Sequence, residues 1–180
     1  MIQNPKIKSL VFKFAFSLIL LLAIPSCVND DDPDPGSLKV GDSLPAFSVT
    51  LNTGETVTSE SLRGKVPVIV FFNTSCPDCQ KELPVVQKVY KALTASPDVF
   101  IMAIAREEGA EAISAYWKEN NLTIPWSAQP DRKVYNLFAN SVIPRLYIAD
   151  SKGIITASFG DTNIPSADQL IEAISFAMDY

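Results

Sequence analysis

The feature that most constrains the fold is an unbroken apolar run, VPVIVFF, at Val66–Phe72. The run is rich in β-branched and aromatic residues and carries no charge, which is typical of a strand that is buried on both faces. Strands of this kind lie inside parallel or mixed sheets, where other elements cover both sides. The run therefore favours an α/β domain in which strands and helices alternate along the chain.

The segments on either side of this run follow such an alternation. The other predicted strands are 46–51, 55–58, 99–105, 145–149 and 154–159. The predicted helices are 59–63 (a single turn), 76–94, 108–120, 131–138 and 166–178, the last with Ser166 as its N-cap. This order predicts one α/β domain with a mixed sheet that begins with a β-hairpin.

Two of the three cysteines, Cys76 and Cys79, stand where the central strand gives way to the next helix. Positions i and i+3 lie on one face of a helix, about 5–6 Å apart at Cβ, so a disulfide between them can open and close with little backbone motion. A helix N-terminus favours a thiolate at Cys76, and Pro77 fits the first helical position because its missing N–H has no partner there. We expect Cys76 to be the exposed attacking thiol and Cys79 the buried resolving thiol.

Two other interpretations of this cysteine pair are weaker. A structural zinc site needs about four ligands, but the chain has no histidine and only three cysteines. A structural disulfide across so short a loop would add little stability, because such bonds act mainly by closing long loops. A redox pair is therefore favoured, with no metal or cofactor. Proton transfer must then use groups other than imidazole.

The N-terminus has the pattern of an export signal. Lys6, Lys8 and Lys13 precede an apolar stretch, 14–24, that is too short to span a bilayer. The following Ile-Pro-Ser-Cys resembles a bacterial lipobox that would make Cys27 a lipid-modified N-terminus, although Pro25 is unusual there. An ordinary signal peptide cut nearby is the alternative. We favour lipidation, because a free thiol on an exported protein would be a liability.

The predicted domain organisation has three parts. Residues 1–26 are a lipoprotein signal peptide, 27–36 an acidic Pro-rich tether, and 37–180 the folded domain. The net charge is −5, and no basic cluster exists outside the leader, so no nucleic-acid partner is expected.

Several motifs occur in the order of a known family. They are GK-x-P at 64–67, N-x-x-CxxC at 73–79, KELP at 81–84 and Ile143-Pro144. Over residues 40–178 the chain resembles thioredoxin-fold proteins, and more closely the TlpA/ResA branch of exported, membrane-tethered thiol-disulfide oxidoreductases. The resemblance implies a thioredoxin-like three-layer α/β/α sandwich with a mixed central sheet and an N-terminal β-hairpin.

The resemblance also assigns roles to individual residues. It implies that the Ile143-Pro144 bond is cis and packs against the CxxC, with the backbone before Pro144 pairing with the substrate; a trans bond is the commoner state of X-Pro. Glu82 matches a semi-buried carboxylate that assists the cysteines, and an exposed helix glutamate is the alternative. Pro144 and Glu82 thus join the two cysteines as catalytic residues. The substrate-binding residues implied are Ile143, Pro144, Pro77 and Asp78.

The sequence departs from the family pattern at several positions. Val70 replaces the buried aspartate of thioredoxin, Ser75 a common tryptophan, and Asp78 the usual proline. A carboxylate near Cys76 disfavours its thiolate, so Asp78 predicts a reducing pair of low potential. Three roles remain open for Arg145: repulsion of cationic substrates, pairing with Asp78, or a solvated strand position.

These features predict a reductase outside the cytoplasm that acts on disulfides of exported proteins and is recharged by a membrane or soluble thiol reductant. The predicted location is the bacterial cell envelope, at the periplasmic face or the outer-membrane surface, with a monomer anchored through lipid on Cys27. A peroxiredoxin-like thiol peroxidase is one alternative, but Ile69 and Thr74 do not fit its signature. The other is a non-enzymatic lipoprotein that binds client proteins.

Overall fold

The computed structural model describes residues 36–93 and 95–180. The strands are β1 (Ser48–Thr50), β2 (Thr56–Thr58), β3 (Val66–Phe72), β4 (Val99–Ala105), β5 (Trp126–Ser127), β6 (Arg145–Ala149) and β7 (Ile155–Gly160). The helices are α1 (Pro77–Leu93), α2 (Ala110–Glu119) and α3 (Ala167–Met178), with a 3-10 turn at Tyr135–Leu137. Cys27, the predicted signal peptide and all of the tether except Gly36 lie outside the described residues, so the domain division stays a prediction.

The main sheet has the strand order β5-β4-β3-β6-β7, and β1 pairs with β2 in a separate antiparallel hairpin. Strand β3 pairs in parallel with β4 and antiparallel with β6. All seven residues of β3 are buried, which accounts for the apolar run that covers both of its faces. The predicted mixed sheet and N-terminal hairpin are confirmed.

The residues of β3 alternate between two cores, as the two-residue period of a strand requires. The even-numbered residues pack against the three helices, whose side chains in this core include Leu83, Val86, Ile113, Trp117, Leu170 and Ile174. The odd-numbered residues Ile69 and Phe71 pack against the hairpin and the 3-10 turn, whose side chains include Val49, Val57, Tyr135 and Phe138. The sheet therefore lies between two layers, and the thioredoxin-like α/β fold is confirmed.

Some element boundaries differ from the prediction. The helix predicted over 131–138 is only a 3-10 turn, since Tyr135 and Phe138 both face the sheet and their spacing of three matches a 3-10 period. Residues 59–63 form a turn rather than a helix. Helix α1 begins at Pro77, one residue later than predicted, and includes Pro84. Among the described residues, no helix has the length and apolar character needed to cross a membrane.

The strand register brings three separate segments to one edge of the sheet. Phe72 pairs with Ala105, and Phe71 pairs with Arg145. The residues after β3, the residues after β4 and the residues before β6 consequently lie side by side. The two cysteines and Ile143-Pro144 belong to two of these segments.

Candidate active site

The two cysteines lie at the N-terminus of α1. The carbonyl of Cys76 accepts the N–H of Gln80 at 3.0 Å, which makes Cys76 the residue that caps the helix. The backbone N–H of Cys79 donates to the Cys76 sulfur at 3.4 Å. Both cysteines are free thiols; Cys76 is partly exposed, whereas Cys79 is buried. The predicted difference in exposure between the two thiols is confirmed.

The segment before β6 lies against this pair. The Ile143-Pro144 peptide bond is cis, as predicted. The Cys76 thiol donates to the carbonyl oxygen of Ile143, with 3.6 Å between sulfur and oxygen. This contact places the backbone before the proline beside the Cys76 sulfur. Ile143 is partly exposed, and Pro144 is buried.

Glu82 is on the buried side of α1, three residues after Cys79. Its side chain has no exposed surface, and neither carboxyl oxygen has a hydrogen-bond partner within the part of the chain that the structure describes. Burial raises the pKa of Glu82 to about 8, because a carboxylate loses its hydration there. The interpretation of Glu82 as an exposed helix residue is therefore wrong.

The environment of Cys79 keeps its thiol protonated. Burial raises the pKa of Cys79, and hydrogen bonding from the Cys76 side chain raises it further. The charges of Cys76 and Glu82 act in the same direction. Glu82 is thus a titratable group whose charge acts on the Cys79 thiol.

The turn before Cys76 is held by residues that sequence reasoning did not single out as functional. The backbone N–H of Thr74 donates to Glu108 Oε2 at 2.8 Å, and its hydroxyl donates to Glu108 Oε1. The side-chain amide of Asn73 donates to the carbonyl of Arg106 at 3.1 Å. Glu108 carried no recognisable signal, because a single glutamate before a helix belongs to no motif. The β4–α2 corner thus anchors the loop that presents Cys76.

The ion pair of Asp78 and the burial of Arg145 affect the roles predicted for these two charged residues. Asp78 pairs with Lys81 at 2.8 Å, and both side chains are well exposed. Lys81 therefore offsets part of the negative charge of Asp78. Arg145 is 7% exposed, so the interpretation of it as a solvated strand residue is wrong.

The groups that the structure brings together are two thiols, a buried carboxyl and a backbone carbonyl next to a cis-proline. Among the described residues, no three His, Cys, Asp or Glu side chains are placed to share a metal ion. Two thiols one helical turn apart, one accessible and one buried, have the geometry required for thiol-disulfide exchange.

Comparisons with known proteins agree with this geometry. Residues 39–172 match the family model described as Redoxin. The thiol-disulfide oxidoreductase ResA of Oceanobacillus iheyensis is 26% identical over 158 residues, covering 85% of this chain and 82% of that protein. ResA of Bacillus subtilis is 25% identical over 140 residues, covering 76% of this chain and 78% of that protein.

A solved structure supports the fold independently. The crystal structure of a thiol:disulfide interchange protein of the thioredoxin family from Chlorobium tepidum superposes with a TM-score of 0.66 at 23% identity. The superposition covers 78% of this chain and 99% of the other. Since the family model spans most of the described residues, the chain belongs to the Redoxin family and is a thioredoxin-fold, TlpA/ResA-like thiol-disulfide oxidoreductase.

Proposed function

We propose that this oxidoreductase reduces disulfide bonds of exported proteins outside the cytoplasm, using Cys76 and Cys79 as a dithiol-disulfide pair. The observation that carries the proposal is the position of the Cys76 sulfur. It is partly exposed, 3.6 Å from the Ile143 carbonyl oxygen and 3.4 Å from the backbone nitrogen of the buried Cys79. An attacking thiol, a surface for an extended substrate and a resolving thiol are thus within contact of one another.

The first step is attack by the Cys76 thiolate on one sulfur of the substrate disulfide. The substrate S–S bond breaks, a bond forms between Cys76 Sγ and that sulfur, and the other substrate sulfur leaves as a thiolate that takes a proton from water. The backbone at Ile143 and Pro144 pairs with the substrate chain. Pro77 and Asp78, next to Cys76 on the surface, contact the substrate beside its disulfide.

The second step resolves the mixed disulfide. Glu82 in its ionised form takes the proton of the Cys79 thiol, and the resulting thiolate attacks Cys76 Sγ. The Cys76–Cys79 disulfide forms, and the remaining substrate sulfur leaves as a thiolate, so two electrons have passed to the substrate. A membrane or soluble thiol reductant then returns two electrons to the pair.

The location outside the cytoplasm is supported by the leader pattern. The positive segment, the apolar stretch at 14–24 and the sequence before Cys27 resemble the leader of a bacterial lipoprotein. We propose that lipid on Cys27 holds the monomer at the cell envelope and that residues 28–36 act as a tether. Such a position would give the cysteine pair access to exported proteins.

Reduction of insulin by a thiol reductant tests the proposed activity. The wild type is expected to accelerate insulin reduction, and Cys76→Ser is expected to abolish the acceleration because it removes the attacking thiol. Cys27→Ser is the matched control, since it removes the cysteine outside the pair and is expected to retain the wild-type rate. An unchanged rate in Cys76→Ser would overturn the proposal.

Trapping in cells identifies the substrates. In Cys79→Ala the second step cannot occur, so mixed disulfides between Cys76 and exported proteins are expected to accumulate and to disappear on reduction. Reaction of Cys76 with hydrogen peroxide at a rate far above that of a free thiol, with no mixed disulfides formed, would instead favour the thiol peroxidase alternative.

A further inference from the structure

The loop that leads to the cis-proline is held through its carbonyl groups. Three consecutive carbonyls each accept a hydrogen bond from a side chain: Asn140 from Arg132 Nη2 at 2.6 Å, Ser141 from Arg106 Nη1 at 2.6 Å, and Val142 from Tyr135 Oη at 2.5 Å. The next carbonyl, that of Ile143, faces the Cys76 sulfur. Every backbone oxygen from 140 to 143 therefore has a side-chain partner.

The three donors, Arg106, Arg132 and Tyr135, support one another, and we refer to them as the guanidinium bracket. The guanidinium carbons of Arg106 and Arg132 lie 5.1 Å and 5.4 Å from the centre of the Tyr135 ring. A Glu107 carboxylate oxygen is 3.9 Å from Arg106 Nε and 3.9 Å from Arg132 Nη1. These ion pairs and cation–π contacts restrict the positions of the two arginine side chains.

Glu107, which pairs with both arginines, has an uncommon backbone conformation. Its φ of 59° lies in the left-handed region, which is uncommon for glutamate and persists where the surroundings impose it. On one side of Glu107, the Arg106 side chain reaches the cis-proline loop. On the other side, the Glu108 side chain holds Thr74 in the loop before Cys76. One corner of three residues thus fixes both halves of the candidate site.

We propose that the guanidinium bracket positions the cis-proline loop for the docking of protein substrates. This inference rests on the proposed function, because it assigns a role within the same site. The bracket donates to the carbonyls of 140–142, whereas the Cys76 sulfur lies at the next carbonyl, that of Ile143. An ordered loop lets a substrate bind without first losing the conformational entropy of that loop. The bracket therefore acts on substrate binding, while the thiol chemistry stays with the cysteine pair.

The test compares a protein substrate with a small one. For Arg106→Met and Arg132→Met, the KM for insulin is expected to rise about three- to tenfold with little change in kcat, a range typical of the net contribution of one intramolecular hydrogen bond. Reduction of a small aromatic disulfide, which does not contact the loop, is expected to stay at the wild-type rate. Arg106→Lys keeps a charged donor and is expected to recover most of the loss.

Arg63→Met is the matched control, because Arg63 is an exposed arginine that bonds Glu60 and the carbonyl of Lys152 away from the site. It is expected to leave both reactions unchanged. An unchanged KM for insulin in both bracket variants would overturn the inference. So would an equal loss with both substrates, since that result would indicate general damage to the fold.

A second measurement does not depend on catalysis. Amide hydrogen exchange at 140–146 is expected to accelerate in Arg106→Met and Arg132→Met, while exchange in β3 and β4 stays at the wild-type rate. If the wild type fails to reduce insulin, the proposed function is wrong, and exchange still decides whether the bracket orders the loop. Unchanged exchange at 140–146 would overturn the positioning role.

Discussion

Glu82 is a carboxyl group buried without a hydrogen-bond partner among the described residues, and this makes it sensitive to pH. Burial raises its pKa from 4.5 to about 8, so the folded protein binds this proton across a range in which the unfolded chain has released it. Stability falls with rising pH wherever the folded state binds more protons than the unfolded state. The contribution of Glu82 is thus fully present below about pH 4.5 and is lost as the pH passes about 8.

Glu82→Gln is expected to remove this dependence, because an amide of the same shape does not ionise. Between pH 5 and 8, the free energy of unfolding of the wild type should fall relative to the variant by at most about 1.4 kcal/mol per pH unit. Urea unfolding at a series of pH values measures the difference. The exposed Glu172→Gln serves as control, and equal slopes in the wild type and Glu82→Gln would contradict the buried, protonated state.

The sequence alone predicts the exposure of the two cysteines but not the contacts of the arginines near them. The exposures of Cys76 and Cys79 follow from their places on the first turn of a helix that packs on a buried strand. The bracket residues Arg106 and Arg132 are far apart in the sequence and belong to no motif. They meet only because the register of β3 with β4 and β6 brings the ends of those strands to one edge.

At the scale of elements, α3 begins where the sequence predicts. Ser166 Oγ accepts the N–H of Gln169 at 3.2 Å, and Gln169 Oε1 accepts the N–H of Ser166 at 2.8 Å. This reciprocal capping box confirms Ser166 as the N-cap and satisfies N–H groups that the helix itself leaves free. The cap fixes the start of the helix that packs across β3, β6 and β7.

Ser166→Ala is expected to lower the free energy of unfolding by about 1 kcal/mol, because the N–H of Gln169 loses its acceptor. Urea unfolding measures the change. Ser175→Ala is the control: that hydroxyl donates to the Ile171 carbonyl within the helix, and alanine has the higher helix propensity, so no loss is expected. Equal stability of Ser166→Ala and the wild type would show that the capping box contributes nothing to the free energy of unfolding.

Elements without a periodic pattern of their own could not be predicted in the same way. Strand β5 has only two residues, Trp126 and Ser127, and is defined by its pairing with β4. The segment around Tyr135 has apolar residues at a spacing that a short α-helix and a 3-10 turn share. In both cases tertiary packing decides the conformation, and the local sequence leaves the choice open.

At the scale of the whole molecule, both faces of β3 are needed to place the site. The helix-side core fixes α1 and therefore Cys79 and Glu82, while the hairpin-side core fixes Tyr135 and therefore the loop before Pro144. The predicted alternation of strands and helices was sufficient to give the fold class. It did not predict that both layers contribute to the site. In the described part of the chain, the hairpin-side layer contains no α-helix, so no helical spacing of apolar residues in the sequence indicates that layer.

The third cysteine bears on the proposed lipid anchoring of the whole chain. Cys76 and Cys79 form the pair, which leaves Cys27 as the cysteine at the lipobox-like sequence. Acyl chains bind bilayers through burial of their methylene groups, so a lipid at Cys27 would anchor the domain to a membrane. Cells fed a fatty acid with a detectable tag are expected to label the wild type and Cys76→Ser equally. Cys27→Ser is expected to lose the label and to keep its insulin reductase activity as a purified protein; equal labelling of Cys27→Ser and the wild type would show that lipidation at Cys27 does not occur.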